Sequence, residues 1–244
     1  MIGPLFLVAL VATAVAWYFK GDLSGPETIQ PDLLQAPRQE IVDKEPFSFE
    51  YKGKACLVEP VAAYELWGLV VSHNNIHSVA DIYHDSTSVD TKDLCVIWGV
   101  NLEAPDYRQV EFKSGPWTCY FRYPHGVTFH HDGLGNNHLI TDSPVIRRTL
   151  NKVRVGDQVH LKGLLVNYQI DDWQGFWRRT STRRDDNDCE VVYLEEMSVI
   201  RRGTPGWYAL YRFSLTALLL LPLAYLALMW VEAGSSDTTT LGKL

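Results

Sequence analysis

The sequence contains no C-x-x-C pair, no H-E-x-x-H and no G-x-S-x-G. The first absence removes zinc ribbons and thioredoxin-type redox motifs. The second removes the helical zinc-protease signature, and the third the strand-to-helix elbow that exposes a serine nucleophile in α/β-hydrolases. Gly133-Leu134-Gly135-Asn136-Asn137-His138 falls short of G-x-G-x-x-G, because His138 stands where the last glycine belongs. With no strand-turn-helix unit around it, a dinucleotide site is not supported; a tight turn using the left-handed freedom of Gly and Asn accounts for the stretch. Basic residues are outnumbered, 22 to 29, and the net charge of −7 argues against nucleic acid as a partner. There is no internal repeat and no low-complexity tract, so a solenoid is not expected.

Charge is absent from two long stretches. Phe213 to Val231 reads FSLTALLLLPLAYLALMWV. A hydrocarbon core takes about 20 helical residues, and Trp207, Tyr208, Tyr211 and Trp230 sit where an aromatic belt would meet the headgroups. Pro222 lies inside the run, a position membrane helices tolerate. Residues 211–231 therefore read as a transmembrane helix followed by a tail, 232–244. Ile2 to Phe19 forms a second apolar run, closed by Lys20. No Lys or Arg precedes it and it exceeds a signal-peptide core in length. Residues 2–19 read as a retained anchor. The expectation is two membrane passes, with the bilayer as one partner.

Between them lie about 190 residues, enough for one domain with its own core. Residues 20–45 carry Pro26, Pro31 and Pro37 without a sustained period and read as an extended tether, with the short piece at Leu33 able to make one turn against the domain. Residues 46–202 read as a β-rich domain. FSFEY alternates from Phe47 and turns at Lys52-Gly53, a hairpin signal. Val61–Ser72, Lys92–Val100, Gln109–Tyr123, Gln158–Tyr168 and Cys189–Ile200 have β character; Val61–Leu66 also fits a helix, and 124–137 reads as a loop. Asp142 or Ser143 before Pro144, with apolar Val145, Ile146, Leu150 and Val153, marks one short helix. The sum is a mainly β fold, a small barrel or sandwich with one helix, and V-x-V-G-D-x-V-x-L-x-G-x-L-V at Val153 to Val166 has the look of an OB-type barrel strand. The expected core includes Trp67, Val70, Val96, Trp98, Val159, Leu161, Leu165 and Val192.

The combination Y-E-L-W-G-L-V-V-S-H (Tyr64 to His73), D-L-C-V-I-W-G (Asp93 to Gly99), N-N-H-L-I (Asn136 to Ile140) and T-S-T-R-R-D (Thr180 to Asp185) before C-E resembles an uncharacterised family of bacterial membrane-anchored proteins with a β-rich, OB-like domain. The resemblance covers most of the soluble domain and both hydrophobic ends. It implies residence in a bacterial inner membrane and carries no function.

Three groups of residues can carry chemistry. His73, His77, Asp81 and His84, with His130 and His138 further on, are the residue types that hold a divalent metal; no cofactor is otherwise expected. Their spacing matches no established metal signature, and a solvated turn-forming loop explains the first four as well. Trp173, Phe176, Trp177, Arg178, Arg179, Arg183 and Arg184 combine aromatics with arginines as contact surfaces do; mutual pairing with the adjacent acids, or anchoring at the headgroups, fits too. Cys56, Cys95, Cys119 and Cys189 are disulfide candidates in an oxidising compartment and buried thiols otherwise.

The resulting expectation is a two-pass membrane protein, leaning away from an enzyme, whose β-rich domain binds or helps assemble a partner, another membrane protein or a second copy. The alternative is a membrane-tethered metal-binding protein or metalloenzyme. Lys20, Arg201, Arg202 and Arg212 on the domain side favour a cytoplasmic domain, whereas four cysteines suit export; the balance leans slightly to the cytoplasm.

Overall fold

The computed structural model describes residues 2–76, 88–115, 118–171, 175–184 and 188–236. They divide into two compact units, Met1–Gly21 with Thr204–Leu244, and Asp22–Gly203.

The first unit is a helical pair, α1 (Ile2–Phe19) and α3 (Pro205–Ser236). One stretch, Pro205–Ala233, is long and apolar enough to cross a membrane. It extends the expected span at both ends and keeps Pro222 inside the helix. Its leucines are turned outward: Leu219, Leu223 and Leu226 are more than half exposed, as a lipid-facing surface requires. The other helix is shorter than that standard, its described apolar part running Gly3–Phe19. The expected two passes thus reduce to one candidate span with a short apolar helix packed beside it. Ala9 and Ala16 are buried, and such small side chains let helices approach closely. Phe19 stacks on Trp207 at 5.0 Å, and the Lys20 ammonium lies 3.9 Å from the Tyr211 ring centre.

The second unit is built on a seven-stranded mixed sheet. Its central element is β3 (Lys54–Asn74), continuous over 21 residues. The hairpin from β2 (Phe47–Tyr51) into β3 turns through Lys52 and Gly53, both at positive φ, 53° and 77°. Two left-handed residues in succession produce the twist a two-residue hairpin needs. β3 also pairs with β1 (Arg38–Ile41), β4 (Lys92–Ile97) and β8 (Gln158–Ile170). From β4 the pairing passes to β7 (Leu134–Ile140), then in parallel to β9 (Glu190–Arg201), then antiparallel to β8. Because β8 returns to β3, the path of five strands closes on itself. Register shifts at Pro60/Ala62 and Val70/Ser72 of β3 and at Lys162/Gly163 of β8 supply the bends that closure demands.

Alternation sorts the side chains. Leu66, Val70, Leu94, Val96, Leu139 and Leu161 share one core cluster with Val159, Leu165 and Val192. Seven of the eight expected core residues are in it; Trp67 is instead on the opposite face, stacked on His160 at 4.4 Å. α2 (Pro144–Leu150) is capped by Ser143, whose hydroxyl accepts from Ile146 N–H, and it closes the cluster with Leu150. β5 (Glu111–Ser114) and β6 (Cys119–Arg122) form a separate ribbon.

Two expectations are corrected. The segment 20–45 is no extended tether: Leu33 is fully buried, Gln30 N–H donates to the Gln158 side chain at 2.9 Å, and β1 joins the sheet. Its prolines open two single-turn helices, Pro26–Thr28 and Pro31–Leu34, consistent with their fixed φ. The Gly133–His138 stretch is no turn either. From Leu134 it is the strand β7, buried along most of its length.

Candidate functional site

β4 and β7 bring the site together by register alone. Asp93 lies directly across from His138, and Cys95 across from Asn136. Since alternate residues share a face, these four side chains project opposite to Leu94, Val96 and Leu139. β9 runs beside β7 with Val191 across from His138, so Cys189, just ahead of the strand, arrives at the same place.

A chain of polar contacts results. His138 Nδ1 is 2.7 Å from Asp93 Oδ1, and both side chains are essentially inaccessible. The other ring nitrogen, Nε2, is 3.4 Å from Asn136 Nδ2. That same amide donates to Cys189 Sγ at 3.4 Å. Asn136 thus lies against both the imidazole and the thiol, and Cys189 is near enough to raise the imidazole. Carboxylate, imidazole and thiol therefore stand in sequence, the order that activates a nucleophile. Two acceptors, Asp93 Oδ2 and Asn136 Oδ1, are buried without a hydrogen-bond partner.

The electrostatics follow from this enclosure. Burial disfavours charge on His138, but its hydrogen bonds to Asp93 and Cys189 and the nearby carboxylate outweigh it, raising the imidazole to about 9. Burial raises the Asp93 carboxyl against the opposing pull of His138. Both shifts mean that the folded pair binds protons more tightly than the unfolded chain. The stabilisation from His138 is complete below its ordinary value of 6.5 and disappears as pH rises to about 9. His138→Gln is expected to flatten stability over that interval, so that wild type and variant converge toward the alkaline end. Chemical denaturation at a series of pH values measures the difference.

Cys189 opens onto a cavity of about 580 Å³. Asn136, Glu190, His130, Arg183 and Cys119 also line it. Cys119 is joined to Cys95 by a disulfide, which ties β6 to the site face of β4. One wall is aromatic, with Phe121 5.3 Å from Phe129 and 4.8 Å from His131. The opposite wall is pinned through the sheet: Thr180 N–H donates to Asn167, Val191 N–H to Thr180 Oγ1, and Ser181 N–H to the Cys189 carbonyl. Beneath it Asp90 is buried between Arg178, at 3.1 Å, and the Tyr168 hydroxyl, at 3.2 Å.

The residues marked from sequence are distributed as follows. His77, Asp81, His84 and Trp173 lie outside the described residues. His73 is half-buried at the end of β3, its imidazole lowered to about 4 by desolvation and by Lys92. His130 is exposed on the cavity and His138 is enclosed with Asp93. Among the described residues no three His, Cys, Asp or Glu side chains are grouped to hold a metal ion. The described members of the arginine-aromatic patch are spread over different surroundings. Phe176 and Arg179 are exposed and Trp177 half-buried, Arg178 is spent on Asp90, and Arg183 and Arg184 belong to the cavity. Cys95 pairs with Cys119, while Cys56 is a buried thiol and Cys189 a partly exposed one. Asp93 and Asn136 were not singled out from sequence, and Cys189 only as a disulfide candidate. Their shared signal is alternation within D-L-C and N-N-H, which acquires meaning only through the β4–β7 register. No family model matches the chain, and no curated protein and no solved structure matches it.

Proposed function

We propose that this chain is a membrane-anchored binding module whose β-rich domain takes a segment of another membrane protein into the Cys189 cavity. One observation carries the reading. The cavity lies on the outer face of β4 and β7, flanked by the segment that connects β8 to β9. The ring order β3-β4-β7-β9-β8, its parallel β7–β9 pair and α2 before the fourth ring strand support reading the domain as an OB-like barrel. Such folds take ligands on the face of their second and third strands, beside the loop joining the fourth and fifth. The cavity is large enough for several side chains and too small for a folded partner, which points to an inserted loop or extended segment. The net charge of −7 disfavours nucleic acid as the occupant. Anchoring rests on α3, the one candidate span among the described residues.

The Cys95–Cys119 disulfide favours an oxidising compartment for the domain, and this outweighs the charge count that leaned to the cytoplasm. A photo-crosslinking amino acid placed at Arg183, on the cavity, is expected to give a discrete heavier adduct in native membranes. The same amino acid at Val145, exposed on α2, should give none. Equal labelling at the two positions, or none at Arg183, would overturn the reading.

A further inference from the structure

We propose that Cys189 is a nucleophilic thiol, set up by His138 and Asp93, that exchanges with a disulfide of the segment bound in the cavity. The proposal rests on the binding reading above and names the chemistry of the occupant. Cys189 is in a different position from Cys56, which is sealed in a core cluster. It is partly exposed, opens onto a cavity, and has on its sulfur an amide donor that also meets His138. A thiolate is the reactive form, and a neighbouring imidazole and hydrogen-bond donors favour it.

His138 stands beside the reacting atom, with the Asn136 amide 3.4 Å from both. Its Nδ1 is committed to Asp93, which leaves Nε2 facing Asn136 and the sulfur. Asp93 acts only through His138, as a positioning residue that fixes the tautomer. Asn136, which lines the cavity, donates to the sulfur. At rest the Cys189 proton is already held on His138, whose imidazole is raised to about 9, and the thiolate attacks one sulfur of the incoming disulfide. The Cys189–sulfur bond forms as the incoming S–S bond breaks. The departing thiolate takes the proton from His138. One disulfide and one thiol are consumed and one of each is formed, so no outside oxidant or reductant is needed.

A disulfide is the electrophile that fits this site. The same cavity wall already holds Cys119 in a stable disulfide with Cys95, and disulfides persist only where the compartment is oxidising.

The test uses the full-length protein in detergent, with dithiodipyridine as the probe disulfide. One thiol per chain should react rapidly with release of thiopyridone, and peptide mass mapping should place the mixed disulfide on Cys189. The thiolate ultraviolet absorbance of the wild type should be missing from Cys189→Ser. His138→Gln and Asp93→Asn should each lower that absorbance and slow the exchange by about tenfold, from the smaller thiolate fraction offset by its higher intrinsic nucleophilicity. Wild-type near-ultraviolet circular dichroism certifies that a variant is folded. Asn136→Ala serves as the second variant should either of the others fail that criterion, and its expected loss is smaller. Unchanged rates in the folded variants, no thiolate absorbance, or a native Cys119–Cys189 linkage would overturn the proposal. Photo-crosslinking reports occupancy and not sulfur chemistry, so crosslinks from a protein with an inert Cys189 would leave the binding reading intact.

Discussion

Replacing Gly163 by alanine is expected to lower the unfolding free energy by about 3 kcal/mol or more, at the severe end for single substitutions. A Cβ built there falls 2.0 Å from the Tyr193 carbonyl oxygen, 3.0 Å from its carbon and 3.1 Å from Glu195 N. All three are backbone atoms of β9, so no side chain can turn away to make room. The approach is this close because the β8–β9 register slips between Lys162 and Gly163. β8 is also the strand through which the ring closes onto β3, so the displacement reaches the core residues Leu161 and Leu165. Gly206→Ala is the control: its Cβ meets nothing within 4 Å and the site is helical, so the change should be neutral or slightly stabilising. Chemical denaturation followed by tryptophan fluorescence compares the two. A loss under about 1 kcal/mol for Gly163→Ala would mean that β9 does not approach β8 as described.

Asp90→Ala is expected to cost about 3–5 kcal/mol, the range for removing one member of a buried ion pair. Asp90 is 1% exposed, and it meets Arg178 at 3.1 Å and the Tyr168 hydroxyl at 3.2 Å. Burial disfavours charge on Arg178, but Asp90, Tyr168 and Asp93 outweigh it, and its pKa is raised. Removing Asp90 leaves a largely buried guanidinium with its main counter-charge gone. The wall that positions Cys189 hangs from this point, since the Tyr168 and Arg178 backbones bond reciprocally at 2.9 Å. The thiol should therefore become more accessible as stability falls. Asp90→Ala combined with Arg178→Met should recover part of the loss, because an apolar pair avoids the stranded charge. If the double variant is as unstable as Asp90→Ala, the stranded charge is not the cause.

Local features of the sequence translated directly into structure where the determining physics is local. The Lys52-Gly53 turn, the Ser143-Pro144 helix start and the alternation of Gln158–Tyr168 each became the expected element. β7 was unreadable for the opposite reason. Leu-Gly-Asn-Asn-His looks like a turn until Asn137 meets Tyr64, 73 residues away, at 3.3 Å, and His138 meets Asp93, 45 residues away, at 2.7 Å. Partners supplied by other strands overrode the local propensity. Trp67 was assigned to the core on hydrophobicity, yet its face carries His160 and Arg38, and stacking serves it there. The histidines were grouped by nearness in sequence, whereas strand register separates His130 from His138 and pairs the latter with a carboxylate and a thiol.

The most direct measurement of whether the Cys189 cavity receives a partner at the membrane is the alkylation rate of Cys189 in two settings. Native membranes and purified detergent-solubilised protein are treated with the same small thiol reagent, and modification of Cys189 is followed by peptide mass. A partner segment seated in the cavity covers the sulfur, so alkylation should be several-fold slower in native membranes and should reach the purified rate once the partner is stripped away. Equal rates in the two settings would contradict the account.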